Sequence, residues 1–190
     1  MTQKERICNN ALLLIGSAGL SSFDDNSAGS QISKNLFELT YESLLTDTRW
    51  HFATRTAHLT KLAPPHHTNI KINETFSEYQ IPQDNLYVIK CSVNPYDIYE
   101  RKIRIPGIQS DEITIDYVFK PELQDTPPYF QQVLEYKLAA KFAIPITEDP
   151  QKTQMYTQLA QLELRKAKYL DATSRTVDMI QQDAYISVRY

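Results

Sequence analysis

Apolar residues recur at helical spacing near both ends of this 190-residue chain and at every second position through its middle. A period of 3.6 and a period of 2 cannot share one element, so the chain must change structure twice. Ile7, Ala11, Leu14 and Ile15 mark one face of a first helix, and Ile32, Leu36, Leu39, Thr40, Ser43 and Leu44 one face of a second, over about residues 30–47. Alternation begins beyond Trp50, with Ala57, Leu59 and Lys61 on one side of a first strand. "ETFSEYQIP" and "NLYVIKCSV" read as strands joined by the turn Pro82-Gln83-Asp84-Asn85. "DIYERKIRI" alternates without a cleanly apolar face and reads as an edge pair or a segment containing a turn. "EITIDYVF" places Ile113, Ile115, Tyr117 and Phe119 together. Five short strands predict a small sheet or open barrel. Helical spacing returns after Pro127 and Pro128, with Val133, Leu134, Leu138, Ala139, Phe142 and Ala143 as the stripe and Pro145 as the expected end. A last helix opens at Pro150, capped by Thr147 or Asp149, and carries Met155, Leu159, Leu162, Lys166 and Tyr169 on one side as far as Asp171.

A pair of helices seldom buries enough apolar surface alone, whereas four can build a core from their facing stripes. The expected fold is therefore α+β: a helical bundle built from the N- and C-terminal helices, with an inserted small antiparallel β domain and an extended C-terminal arm. The expected divisions are 1–54 and 127–171 for the two parts of the bundle, 55–126 for the β-rich insertion and 172–190 for the arm.

The stretch "NNALLLIGSAGLSS" holds two of the chain's four glycines and raises the question of a phosphate loop. It lacks both G-x-G-x-x-G and G-x-x-x-x-G-K-[ST], so it reads as an amphipathic helix that stops at Gly16. The formal net charge of −3 and pI of about 5.8 argue against an overall basic field for nucleic acid, and so against a free-standing DNA-binding module. No apolar run is long enough to span a bilayer and no signal-peptide order opens the chain, so a soluble protein acting in, or assembled in, the cytoplasm is expected. Cys8 and Cys91 read as buried thiols. His51, His58, His66 and His67 show no zinc spacing, and "DDNSAG" departs from a calcium loop at Ala28 and Asn35, so no metal or other cofactor is expected. No G-x-S-x-G elbow supports serine catalysis. Asp47, Asp84, Asp111, Glu112 and Asp116 could pair in space as an acid and a base, though solvated strand ends are the commoner outcome. Twelve tyrosines lean towards interfaces, where a large ring with a polar tip is useful.

The phrases "ICNNALLLIGSAGLSSFDDNS", "YESLLTDTRWHFAT", "YQIPQDNLYVIKC" and "ITIDYVFKPELQDTPPYFQQVLEYKLAAKFAIPITED" occur in this order from Ile7 to about Asp171. Together they resemble the head-to-tail adaptor family of short-tailed bacteriophages, the tail tubular protein A family. Its marks correspond here to Asn9 and Asn10, to Trp50, to the Tyr79–Asp84 turn and to Leu138–Thr147. The resemblance implies a structural virion protein without catalytic residues, forming a ring of twelve copies below the portal vertex and joining the portal protein to the tail nozzle protein. DNA would pass through the lumen without specific binding. A virion-associated cell-wall hydrolase is the alternative, and it would need a cleft with convergent carboxylates or a metal.

Within this expectation, Trp50 and Phe52 pack at the junction of the bundle and the β lobe, the β lobe faces the nozzle or a neighbouring subunit, and the helices build the ring wall. The segment 172–190 is expected to dock on the portal or an adjacent adaptor through Val177, Met179, Ile180, Tyr185, Ile186, Val188 and Tyr190. These are too many apolar residues for a solvated tail and too few for a core.

Overall fold

The computed structural model describes residues 1–20, 22–25, 27–63, 76–107 and 110–174. Among them, helices α1 (Gln3–Leu14), α2 (Ala28–Thr46), α3 (Pro128–Thr147) and α4 (Pro150–Thr173) flank six strands. These are β1 (Thr54–Thr60), β2 (Phe76–Gln80), β3 (Asn85–Cys91), β4 (Asp97–Tyr99), β5 (Lys102–Pro106) and β6 (Glu112–Phe119). The α+β order with helices at both ends and antiparallel strands between them is the order read from the sequence. The expected docking residues of the C-terminal arm, Val177 to Tyr190, lie outside the described residues.

The strands differ from the expected five-stranded small sheet or open barrel. They form two antiparallel sheets of three, in the orders β1-β6-β3 and β2-β5-β4, because "DIYERKIRI" folds back on itself as the β4–β5 hairpin. An isolated bridge between Lys61 and Tyr79 joins the sheets. Ile113, Ile115, Tyr117 and Phe119 pack with Tyr79, Ile103 and Ile105 in one apolar cluster. Val118, which points the other way by strand alternation, joins the bundle's cluster together with Leu86 and Ile89 of β3. The first sheet is thus covered by the helices on one face and by the second sheet on the other.

Local sequence sets the helix ends. Thr2 and Glu5 form a reciprocal capping box at the start of α1. At its end the Gly16 N–H donates to Leu13 O (2.9 Å) and the Ser17 N–H to Leu12 O (3.1 Å), with Gly16 at φ +77°. This paired closure needs a left-handed residue, which glycine supplies without a side-chain clash. The glycine-rich stretch is therefore a helix and its stop. Gly19 has a different reason: a Cβ there would stand 2.5 Å from Asn9 Oδ1, the atom that accepts the Leu20 N–H at 2.8 Å. Ser27 caps α2, and Asp149 caps α4 by accepting from Gln151 N (2.9 Å) and Lys152 N (3.2 Å), with Pro150 in the first helical position.

Pro145 does not end α3, as the sequence suggested. It lies in the last turn, and the helix continues to Thr147 before Glu148 closes it at φ +52°. A proline this close to the end forfeits one hydrogen bond while the rest of the turn still forms.

The apolar face read from the sequence is the buried one on α3, and on α1 and α2 it is so in part. Val133, Leu134, Leu138, Ala139, Phe142 and Ala143 are all buried. On α1 the buried set is Ile7, Cys8, Ala11, Leu12 and Ile15, and Leu14 is 38% exposed. On α2, Phe37, Tyr41, Leu44 and Leu45 turn inward while Leu39 is 63% exposed, because the two aromatic rings bury more surface than the leucine they displace. The largest departure is α4. Its buried residues are Tyr156, Ala160, Ala167 and Asp171, so Met155, Leu162, Lys166 and Tyr169 of the expected stripe face away from the bundle while Leu159 packs partly against it. The small alanines let α4 lie close along α3, and the Tyr156 ring stacks on Tyr136 at 6.4 Å between centroids while its hydroxyl donates to Leu14 O.

Candidate docking surfaces

The joint between the helices and the sheets is built on Trp50. Its side chain is fully buried, its indole Nε1 donates to Leu44 O at 2.8 Å, and its ring meets Phe130 edge-on at 5.3 Å. Phe52 is half-buried and also lies edge-on to Phe130, at 5.1 Å. Both residues follow α2 and precede β1, so one aromatic group serves the end of a helix, the start of a sheet and the first turn of α3. The exit from the sheet is tied on the other side: Tyr41 donates to Pro121 O at 2.8 Å, and Lys120 reaches Glu38 (2.6 Å) and Glu42 (2.8 Å) on α2. Burial, and secondarily Glu38 and Asp125, push the Tyr41 hydroxyl upward, so it stays protonated as the donor this bond requires.

Asp171, near the end of α4, was noted in the sequence only as a helix boundary. The fold buries its carboxylate at this same joint. Asp171 Oδ2 accepts from His51 N (2.9 Å) and lies 3.0 Å from His51 Nδ1, while Oδ1 accepts from the Tyr129 hydroxyl at 2.9 Å. Burial first, then the Asp171 carboxylate, raises the Tyr129 hydroxyl above its ordinary value and keeps it a donor. The end of α4, from which residues 175–190 continue, is thus fixed to the β1 side of the joint. A lone polar residue at a helix end carries no periodic signal, so the sequence had no means of showing this.

Of the carboxylates considered as an acid and base pair, Asp111 and Glu112 are exposed at the start of β6 and the other three are placed against other partners. Asp84 takes Arg55 Nη1 at 3.3 Å and the Tyr117 hydroxyl at 3.2 Å, Asp116 takes the Thr56 hydroxyl at 2.7 Å, and Asp47 pairs with Lys137. Among the described residues, no group of three or more His, Cys, Asp or Glu side chains is placed to hold a metal ion. Cys8 is buried and burial pushes its thiol up to about 12, which leaves it protonated near neutral pH.

Two open grooves run along the helices. One, of about 560 Å³, lies between α1 and α3 and is lined by Leu13, Leu14, Pro128 and Tyr136. The other, of about 390 Å³, lies among α2, α3 and α4 and includes Lys137 and Lys141. Burial, with repulsion from Lys137, lowers the Lys141 ammonium below its ordinary value.

Two surfaces stand out for their exposed apolar side chains. Met155 (46% exposed), Leu162 (51%) and Tyr169 (70%) follow one another at intervals of seven along the outer face of α4. In the β lobe, Ile98 (54%) and Tyr99 (51%) stand on β4, beside the turn at Glu100 and Arg101. Both turn residues have positive φ, +47° and +59°. Two successive left-handed residues form a tight hairpin turn that normally selects Asn-Gly, so Glu and Arg are strained there. Arg101 offsets the strain by donating to Gln83 O (2.8 Å), and its own carbonyl accepts from Ile81 N (3.1 Å) and Gln80 Nε2 (3.1 Å).

No family model and no curated protein matches the chain. Among the described residues no helix is long and apolar enough to cross a membrane.

Proposed function

We propose that the chain is a structural head-to-tail adaptor of a short-tailed bacteriophage, assembling as a dodecameric ring between the portal protein and the tail nozzle protein and leaving a passage for DNA. The observation that carries the reading is that the ordered phrases of the resemblance fall on joints of the fold. Asn9 holds the chain after α1 through Leu20 N, and Asn10 Nδ2 donates to Glu135 Oε1 of α3 at 2.9 Å. Trp50 fills the helix–sheet joint, and the buried Tyr79 donates to Ser110 O at 2.6 Å. Asp84 joins β1 to β6 through Arg55 and Tyr117, and Leu138, Ala139, Phe142 and Ala143 fill the bundle core. Residues that serve architecture in this way suit a protein whose work is to hold neighbours in register.

In the proposed virion the ring sits in the tail, below the portal vertex. The nozzle and portal are its protein partners, and the lumen passes DNA without reading or gripping it, in keeping with the chain's net negative charge. The test is electron microscopy of the virion's portal with and without the chain. An added ring-shaped layer of twelvefold symmetry is expected. Portals that acquire no layer would overturn the adaptor reading, and turnover of purified cell wall by the isolated chain would favour the hydrolase instead.

A further inference from the structure

We propose that the β4–β5 hairpin tip of one copy docks on the outer face of α4 of the next copy, and that this is the contact which links neighbouring subunits. The inference rests on the ring reading above and specifies the surface that builds it.

The α4 face is unusual for a solvent-exposed helix. Met155, Leu162 and Tyr169 repeat every seven residues, a seam about 21 Å long at 1.5 Å per residue. From Thr153 to Leu162 the helix carries no charged residue at all. Interface cores are depleted of charge and enriched in aromatic residues and methionine, whereas solvated helix faces are charged. Beyond Leu162 the face becomes basic. Lys166, on the side of the seam, is paired with Glu163 at 2.6 Å; Arg165 at its edge and Lys168 on the flank, about 100° round from Tyr169, have no ion pair among the described residues.

The hairpin tip has the opposite character. Asp97, Ile98, Tyr99 and Glu100 are all exposed, and neither Asp97 nor Glu100 has an ion pair among the described residues. The arginine beside them, Arg101, is held inward by the carbonyls of Pro82 and Gln83. Tyr99 is steadied by Arg104, whose guanidinium lies 4.6 Å from the ring centre. The tip therefore offers Ile98 and Tyr99, on opposite faces of the strand, beside two carboxylates without an ion pair among the described residues, and the α4 surface offers three apolar side chains with Arg165 at their edge and Lys168 on the flank. Each surface is exposed in the single chain, so neither covers the other within it.

These are different surfaces on the same molecule, and that is what commits the occupant to a second copy. A contact between unlike faces leaves one free face of each kind on every pair, so copies keep adding until the rotation closes a ring. A self-complementary patch would stop at a dimer. Apolar contact supplies affinity here and the charges set register and partner, the usual division between buried core and charged rim. The strained turn fits the same role, since backbone strain of this kind is kept where a side chain must be presented in one place.

The test uses the full chain as an equal mixture of ¹⁴N- and ¹⁵N-labelled protein, treated at high concentration with a zero-length carbodiimide. Mixed-isotope peptides joining Asp97 or Glu100 to Lys166 or Lys168 are expected. Asp97→Lys with Glu100→Lys, and separately Arg165→Glu with Lys168→Glu, should each weaken self-association by about tenfold or more in sedimentation equilibrium. Mixing the two variants should restore it, because every tip then meets an α4 face of opposite charge. Self-association that ignores both reversals, or mixed-isotope links confined to other surfaces, would overturn this contact while leaving the ring reading in place. Absence of any self-association would overturn it too, and the portal microscopy then decides separately whether a ring forms by other contacts.

Discussion

Helices α3 and α4 lie side by side, joined by Glu148 and Asp149 alone, and spend their apolar residues in opposite directions. α3 packs against α1, α2 and α4, and its valine, leucines and phenylalanines are buried in the bundle. α4 meets the bundle through Tyr156, two alanines and a buried carboxylate, with Leu159 and Leu164 partly buried beside them, and turns Met155, Leu162, Tyr169 and Leu170 to solvent. Hydrophobicity on α3 encodes folding. On α4 much of it is left for something outside the single chain.

The sharpest way to break this comparison is to truncate a buried ring on one helix and an exposed apolar residue on the other. Phe142→Ala should destabilise the chain by about 3–5 kcal/mol, because it leaves a cavity that a close-packed bundle cannot refill. Leu162→Ala should stay within about 0.5 kcal/mol, the range of surface changes. Urea denaturation of both variants checks the pair, and equal losses would show that α4's outer face belongs to the fold. Trp50→Ala should fall with Phe142→Ala, since it removes both the ring and the bond to Leu44 O.

A smaller effect is expected where α4 is tied by polar groups. Asp171→Ala removes the acceptor for His51 N and Tyr129 and leaves those donors at a buried joint, a loss of about 2–3 kcal/mol. If α4 is held mainly by this carboxylate at its far end, hydrogen exchange should speed up over the last turns of α4 before it does over α3. Uniform loosening of both helices would contradict that.

The smallest effect belongs to the charges on α2. Burial alone would raise the Glu38 carboxyl, but hydrogen bonds from Lys120 and Lys4 outweigh it and hold the carboxyl below its ordinary value. Its contribution is therefore present above the unfolded carboxyl range near pH ~4.3 and is lost as pH falls through the lower folded value. The side chain is 48% exposed, so solvent screening limits the effect to a few tenths of a kcal/mol, about the level of surface pairs. Glu38→Gln should flatten the melting temperature against pH slightly below pH ~5, and less so in high salt. A loss of stability at neutral pH as large as that of Asp171→Ala would mean that α2 is held by charge rather than by Phe37 and Tyr41.

The order of elements was legible because the change from a period of 3.6 to one of 2 and back is a property of the backbone. α3 was legible for a related reason: nearly all its apolar residues are inside, so the stripe and the core coincide. α4 was misread because alanines and a buried aspartate contribute less hydrophobicity than the methionine, leucine and tyrosine on the other side. The same weighting placed Leu39 inward on α2, where Phe37 and Tyr41 in fact fill the core. The β4–β5 turn left its alternatives open because Glu100 and Arg101 are not the residues such turns select. Trp50 stood at a visible change of period, whereas its neighbour in space, Asp171, is separated by most of the chain from His51, and only the packed joint brings them together.

The division between a folding face and a docking face on one helix is tested most directly by placing aspartate at Met155, Leu162 and Tyr169 together and measuring two quantities on the same sample. The urea midpoint of the dilute chain should stay close to that of the parent, because these side chains are already in water. Self-association, measured by sedimentation equilibrium at high concentration, should be lost. A midpoint that falls as far as that of Phe142→Ala, or association that survives the three charges, would contradict the assignment of this face to neighbouring copies.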